Sequence, residues 1–279
     1  MRAAEVVRRA GDYLERHGVE SSVLTAERLL AQVLGTDRAG VYASEGLTSQ
    51  EAKVFGRALC RRCAGEPLQH LTGEQGFRRL VLGVRPDVFI PRPETEVLVQ
   101  AALDQLGGIE APIVVDVATG SGAVALAIKD ERSDAEVYAT DIAPGAVRLA
   151  RENAGSLGLE VKVFEGDLLE RLPVELRRRV DAVVGNPPYV AIEAKDSLPP
   201  DVLAEPPLAV FGGIELYERL FVTASKWLRP DGIVVVEIEE SAADAVSRAA
   251  KEAGYVDVFV RQDLTGRDRV VGARRAAHP

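Results

Sequence analysis

A chain of 279 residues with 47% hydrophobic and 28% charged residues has the make-up of a globular protein, with room for one large or two ordinary domains. Its formal charge of −9, from 34 basic against 43 acidic residues, argues against bulk electrostatic attraction to nucleic acid. No apolar run reaches the length of a membrane span, and MRAAEVVRRAGDYLERHG lacks a signal-peptide core, so a cytoplasmic location without membrane contact is expected.

Residues 1–65 read as helical. Val6, Val7, Ala10, Tyr13, Leu14 and His17 recur at helical spacing and Gly18 stops the run. Ala26, Leu29, Leu30, Val33 and Leu34 form a second stripe that ends at Gly35. Thr48 and Glu51 in TSQE make a capping box, which starts a third helix through Val54, Ala58 and Leu59. Cys60 and Cys63 form a C-x-x-C inside that helix. Zinc would need two further ligands and a thioredoxin-like site would follow a strand, so two packing cysteines are expected. His17, His70 and His278 are scattered, which gives neither metal-ligand spacing nor a catalytic triad, and no metal is expected.

Residues 66–91 change character. FRRLVLGVRPDVFI places β-type residues on both sides of Gly83, which predicts a hairpin joining two domains. In PRPETEVLVQAAL, Pro91 and Pro93 impose extended backbone, and Glu94 or Thr95 is placed to begin a helix. From residue 112 strands and helices alternate. Strands are predicted at 113–118, 136–140, 161–164, 181–185, 232–238, 255–260 and 269–273, the pattern of a doubly wound α/β sheet. Arg177-Arg178-Arg179 precedes one of these strands and reads as a solvated patch.

VVDVATGSGAVALAI is a strand, a glycine turn and a helix. Gly120, Gly122 and Ala125 satisfy G-x-G-x-x-G/A, and Asp141 follows at the distance where an acid meets ribose hydroxyls. The loop alone does not separate a nicotinamide dinucleotide from S-adenosylmethionine, since both carry adenosine. Asp116, just before the glycines, would repel a pyrophosphate and attract an ammonium, which favours S-adenosylmethionine. The alternative is that Asp116 caps the turn.

DAVVGNPPYV ends a buried strand with Asn186-Pro187-Pro188-Tyr189. A strand-terminating turn explains Asn-Pro alone. The second proline and the aromatic ring point to chemistry. An amide or ring NH2 is a poor nucleophile with a delocalised lone pair. A protein can hold its N–H groups with acceptors, here the Asn186 side-chain oxygen and the Pro187 carbonyl, and so aim the lone pair at a methyl group. Tyr189 offers a flat face for a planar acceptor. No general base is expected.

With these motifs in view, the chain resembles the protein-(glutamine N5) methyltransferases of the PrmC/HemK family, which modify the Gln of a Gly-Gly-Gln motif in peptide chain release factors. The similarity rests on EPLQHLTGEQGF, FIPRPETEVLV, DVATGSGAVALA, ATDIAPGAVRLARENA, GDLL, GNPPYV, AEPPLAVFGG and DLTGRDRVVGAR, in the family's order from about Glu66 to Arg275. IPRPETE together with NPPY is highly specific; either glycine loop or NPPY alone is not. The implied architecture is α/β: a seven-stranded Rossmann-like S-adenosylmethionine-dependent methyltransferase domain over 92–279, preceded by a helical substrate-recognition domain over 1–65 and a β-hairpin linker over 66–91.

The resemblance implies that Asp116, Val117, Ala118, Thr119, Gly120 and Gly122 cradle the methionine end of S-adenosylmethionine and Asp141 binds its ribose. It also implies that Asp167 and Leu168 border the adenine, and that Arg92, Pro93 and Thr95 line the cofactor pocket. Asn186, Pro187, Pro188 and Tyr189 would hold the substrate glutamine, with Asn186 and Pro187 catalytic and Asn186 also near the cofactor. Class I release factors are the implied partners. Three departures stand out: Ala118 where many relatives have Gly, Gly185 where Ser is common, and EIEES, 237–241, in place of a Glu-x-Gly stretch. Two other classes compete: an N6-adenine or N4-cytosine nucleic-acid methyltransferase, disfavoured by net acidity, and a non-catalytic Rossmann-type cofactor-binding module.

Overall fold

The computed structural model describes residues 2–190, 200–203 and 205–277; His278 and Ala204 of the AEPPLAVFGG motif lie outside them. Two compact units divide the chain, one of residues 1–74 with 199–204 and one of 75–198 with 205–279.

The first unit is built from α1 (Ala3–Arg16), α2 (Ser22–Leu34), α3 (Arg38–Ala43), α4 (Ser49–Cys63) and α5 (Leu68–Thr72), with α9 (Pro200–Leu203) counted to it. Its core joins Val7, Ala10 and Leu14 to Leu29, Leu30, Val41 and Phe55. Gly35, at φ 61°, ends α2 in the left-handed geometry that glycine adopts without steric cost. Both bonds of the Thr48–Glu51 capping box form, the Thr48 amide donating to Glu51 Oε2 at 2.6 Å and the Glu51 amide to Thr48 Oγ1 at 3.2 Å. The expected pair of packing cysteines is corrected: Cys63 packs against the core, whereas Cys60 is exposed. The buried edge of α4 runs through Phe55, Ala58, Leu59 and Cys63, and Cys60 falls outside that stripe.

The strand β1 (Glu74–Phe77), whose first residue is the last of the first unit's 1–74, and β2 (Leu80–Gly83) form a hairpin. Its turn is at Arg78-Arg79 and not around Gly83, which ends β2. Arg78, at φ 50°, is pinned there: its amide donates to Glu96 Oε1 at 2.9 Å and its guanidinium to Glu131 and Gln100. A 3-10 turn over Pro93–Thr95 leads into α6 (Glu96–Leu106). There follow β3 (Ile113–Val117), α7 (Ala123–Glu131), β4 (Glu136–Asp141), α8 (Pro144–Leu157), β5 (Val161–Glu165) and β6 (Val180–Gly185). After α10 (Pro207–Val210) and α11 (Ile214–Ala224) come β7 (Leu228–Glu237), α12 (Ala243–Glu252), β8 (Tyr255–Gln262) and β9 (Asp268–Arg275).

All seven strands predicted from residue 112 onward are present, in the order β5-β4-β3-β6-β7-β9-β8. The pairs from β5 to β7 are parallel; β9 runs antiparallel to both neighbours. Both faces are covered. Val114, Ala139, Val184 and Val235 pack with α6 and α7 on one side, and Val115, Val183 and Val234 pack with Tyr217, Phe221 and Val246 on the other. The near-continuous apolar strands follow from this two-sided burial. The strand order reverses between β3 and β6, so a crevice opens beyond their carboxyl ends, where ligands bind in such sheets. Arg177, Arg178 and Arg179 are exposed, and Arg177 lies 5.3 Å from the centre of the Trp227 ring.

Candidate active site

The end of β3 carries the glycine loop. Thr119 Oγ1 donates to Asp116 Oδ2 at 2.5 Å, and the Ala125 amide reaches the same oxygen at 3.2 Å. Asp116 therefore caps the turn with one oxygen. Its Oδ1 is buried and has no hydrogen-bond partner among the described residues. Burial raises the Asp116 carboxyl to about 7, with the Thr119 and Ala125 bonds pulling the other way. An unpartnered buried acceptor on an acid is stabilised in its charged form by a cationic group. This acceptor thus fits the ammonium and sulfonium of S-adenosylmethionine and opposes a diphosphate.

The loop is tied to the next strand. The Thr119 amide donates to the Thr140 carbonyl at 3.0 Å, and the Gly120 amide to Asp141 Oδ2 at 2.9 Å. Asp141 Oδ1 accepts from the Ala143 amide at 2.9 Å, and burial raises this carboxyl as well. Each oxygen keeps further lone-pair capacity for a hydroxyl donor. Gly122, at φ 87°, immediately precedes α7, and a Cβ there would come within 3.1 Å of Leu126 Cδ1 and 3.3 Å of Ala150 Cβ. Ala118 takes the left-handed region at φ 54° despite its Cβ. Asp167 and Leu168 follow β5: Leu168 is buried at φ 49°, and Asp167 pairs with Arg219 at 2.5 Å. The neighbouring Gly166 amide donates to the Asp141 carbonyl at 2.9 Å.

Across the switch point β6 ends at Gly185, which lies beside Val117 of β3 and Val236 of β7. A Cβ at 185 would sit 2.7 Å from the Val117 carbonyl, so in this chain a serine there would clash. Asn186 emerges next and donates Nδ2–H to Thr95 Oγ1 at 3.3 Å. Pro187 is buried. A Cβ on Gly212 would lie 1.9 Å from the Pro188 carbonyl, so position 212 must be glycine for the two segments to touch. Val190 and Gly212 complete this clasp through the Gly212 amide, 3.0 Å from the Val190 carbonyl. The Tyr189 ring packs against the core and its hydroxyl points to Glu237 Oε1 at 3.5 Å. Burial holds the Tyr189 phenol above its ordinary value.

Thr95, buried, reaches this corner from the 3-10 turn, while Pro93 beside it is exposed. Arg92 forms an ion pair with Glu205 and lies 5.2 Å from the centre of the Phe89 ring. Glu205 also accepts from the Ile90 amide at 3.0 Å. Arg92 is thereby neutralised by a residue that sequence reasoning missed. Glu237 was missed as well, although an acid closing the apolar run IVVV was a visible signal. It is 1% exposed, and burial lifts its carboxyl to about 7. Asn153 lies in the ATDIAPGAVRLARENA motif but was assigned no role. It clamps Gly83 through both main-chain groups and donates to the Ser121 carbonyl at 2.9 Å.

The open sheet, the acid-flanked glycine loop and the rigid Asn-Pro-Pro-Tyr shelf define a Rossmann-like S-adenosylmethionine-dependent methyltransferase. The fold is shared with the ribosomal protein L11 methylase from Lactobacillus delbrueckii subsp. bulgaricus, at TM-score 0.51 and 20% identity over 69% of this chain and 84% of that one. Residues 5–73 match the PrmC N-terminal domain family and 93–198 the methyltransferase small domain family. The release factor glutamine methyltransferase of Moorella thermoacetica is 42% identical, covering 97% of this chain and 96% of its own. That of Deinococcus radiodurans is 38% identical, covering 99% of each. The chain belongs to the release factor glutamine methyltransferase family.

Proposed function

We propose that this protein transfers a methyl group from S-adenosylmethionine to the side-chain amide nitrogen, N5, of the glutamine in the Gly-Gly-Gln motif of class I peptide chain release factors, in the cytoplasm. The observation that carries this reading is Asn186. Its Nδ2 is taken up by Thr95, which leaves Oδ1 to accept a hydrogen bond from an NH2 group, on a main chain stiffened by two prolines. The Pro187 carbonyl is the second acceptor. Two acceptors on one NH2 fix its plane and favour the positive charge that grows on nitrogen as it is alkylated. Tyr189 would carry the flat amide against its ring.

When bound, S-adenosylmethionine supplies an electrophilic methyl on a sulfonium. Asp116, Val117, Ala118, Thr119, Gly120 and Gly122 would hold its amino-acid end, with Asp116 Oδ1 for the ammonium. Asp141 would take the ribose, and Asp167 with Leu168 the adenine. Arg92, Pro93 and Thr95 would border the same pocket. The helical region 1–65 would recognise the partner, with 66–91 as a linker and 92–279 as the transferase. Supporting this, Val23, Leu24 and Tyr42 expose apolar surface in the helical unit.

Incubation with methyl-labelled S-adenosylmethionine and a release factor, and separately with duplex DNA, tests the proposal. Label on the Gly-Gly-Gln peptide is the expected result; label on DNA alone overturns it.

A further inference from the structure

We infer that Glu205 is a positioning residue that cancels the charge of Arg92 beside a site which must carry two cationic centres, the sulfonium and the nitrogen being methylated. This rests on the methyl-transfer reading above and adds a residue to it.

Three segments meet at the Asn186 corner, and each is tied to the other two. Asn186 donates to Thr95 Oγ1 at 3.3 Å. Val190 exchanges main-chain bonds with the segment that follows Glu205. Its amide donates to the Val210 carbonyl at 3.1 Å, and its carbonyl accepts from the Gly212 amide at 3.0 Å. Glu205 closes the circuit: its Oε2 accepts from the Ile90 amide at 3.0 Å and its Oε1 pairs with the Arg92 guanidinium. The two partners are unequally placed. The Glu205 side chain is fully buried, at 0% exposure, and that of Arg92 is 27% exposed.

A neutral side-chain amide would accept the Ile90 bond as a carboxylate does. Holding the chain therefore does not by itself call for an acid in a fully buried position, where a charge is costly. Arg92 does call for one. It precedes the 3-10 turn that presents Thr95, and the Thr95 amide donates to the Arg92 carbonyl at 3.1 Å. A permanent cation is thus carried within one turn of the residue that holds Asn186. Its charge is also felt at the Tyr189 hydroxyl. Left uncompensated, it would oppose a sulfonium and the positive charge that grows on nitrogen during transfer. Paired with Glu205 it is neutral in sum, and the guanidinium keeps its place over the Phe89 ring, 5.2 Å from the centre.

The experiment compares S-adenosylmethionine with S-adenosylhomocysteine, its demethylated product, by calorimetry. The two differ in the methyl group and the sulfonium charge. Their affinity ratio therefore reads charge at the site and is blind to a general loosening of the pocket. Glu205→Gln should shift the ratio against S-adenosylmethionine by about tenfold, the effect of one charge at about 10 Å where the effective dielectric is about 20. Glu205→Asp, which keeps the charge, should return most of it. Arg92→Met in the Glu205→Gln background should bring the ratio back, whatever happens to either affinity. Arg92→Met alone, measured at pH 8, should move the ratio the other way, and this arm decides the matter even where Glu205→Gln does not fold. Single-turnover transfer to a Gly-Gly-Gln protein at saturating cofactor should slow by a similar factor in Glu205→Gln. An unmoved ratio in either single variant, a ratio that the double variant fails to bring back, or an unslowed transfer overturns the inference. Failure of the wild-type protein to methylate any Gly-Gly-Gln protein overturns the functional reading instead, and the role of Glu205 toward the sulfonium then stands or falls on the affinity ratio.

Discussion

The two sides of the switch point are built on different principles. At the glycine loop main-chain amides hold both acids, Asp141 accepting from Gly120 and Ala143 at 2.9 Å each and Asp116 from Ala125 at 3.2 Å beside its bond from the Thr119 hydroxyl. The Thr119 amide is fixed to the Thr140 carbonyl. At the Asn186 corner side chains hold side chains, with Asn186 to Thr95 at 3.3 Å and Tyr189 to Glu237 at 3.5 Å. A cradle of amides has little freedom to reorganise, which suits binding a ligand of constant shape. A corner of long bonds on a rigid shelf tightens only when an acceptor fills it, which suits a group that works in the transition state.

The comparison breaks most sharply at Asn186. Asn186→Ala should lower single-turnover transfer by about 10²–10³-fold, as removal of one preorganised polar partner does, while calorimetric affinity for S-adenosylmethionine stays close to wild type. If affinity falls and rate at saturation does not, the corner belongs to the cradle and the contrast is lost. Asp141→Ala should do the reverse. Losing charged hydrogen bonds to a ligand weakens binding by about 1–3 kcal/mol, and the released Gly120 and Ala143 amides add to that. The rate at saturating cofactor should change far less than in Asn186→Ala.

What could be read from the sequence follows the range of the interactions involved. The Thr48–Glu51 box, the Gly35 stop and the seven strands were legible because each is written within a few neighbouring residues. α3 escaped because it is six residues long with a glycine inside; its start depends on the Gly40 amide bonding to Asp37 Oδ1 at 2.8 Å. The hairpin turn escaped because Arg78 is held by Glu131, 53 positions on. At the site, the residues of the glycine loop and of NPPY lie in contiguous motifs and could be named. Glu205 could not, since its bond to the Ile90 amide spans 115 positions. Nor could the double duty of Asp116, because only packing shows that one oxygen is occupied and the other without a partner among the described residues.

The Asp116 oxygen that has no partner among the described residues gives the cradle a pH signature, read in cofactor affinity. Asp116 sits at about 7 in the folded chain, above the ordinary 3.8. Its contribution to stability without ligand is therefore fully present below about 4 and is lost as pH rises through about 7. A cationic ligand has the opposite preference, since it pairs with the ionised form. Cofactor affinity should fall by up to about tenfold for each pH unit below 7, measured by calorimetry, and Asp116→Asn should flatten both this fall and the pH dependence of the unliganded melting temperature. An affinity independent of pH between 5 and 8 would show that Asp116 only caps the loop.

The smallest expected effect sharpens the idea that the cradle is held rigidly at some cost. Ala118 occupies the left-handed region at φ 54°, where a Cβ costs about 1–2 kcal/mol. Glycine removes that strain and adds freedom to the unfolded chain, which costs about 0.4–1 kcal/mol. The two terms differ in sign, and the strain is the larger. Ala118→Gly should therefore stabilise the unliganded protein by under about 1 kcal/mol, seen as a small rise in melting temperature. The strain is tolerated because the Thr119 amide and hydroxyl, immediately after it, are fixed by Thr140 and Asp116, and the Gly120 amide by Asp141. A second test follows from that. In Asp141→Ala the loop has one anchor fewer and can relax, so Ala118→Gly should stabilise that background less than it stabilises the wild type. An equal or larger gain would mean that the anchors do not enforce the left-handed turn, and that main-chain bonding at the cradle is no tighter than side-chain bonding at the corner.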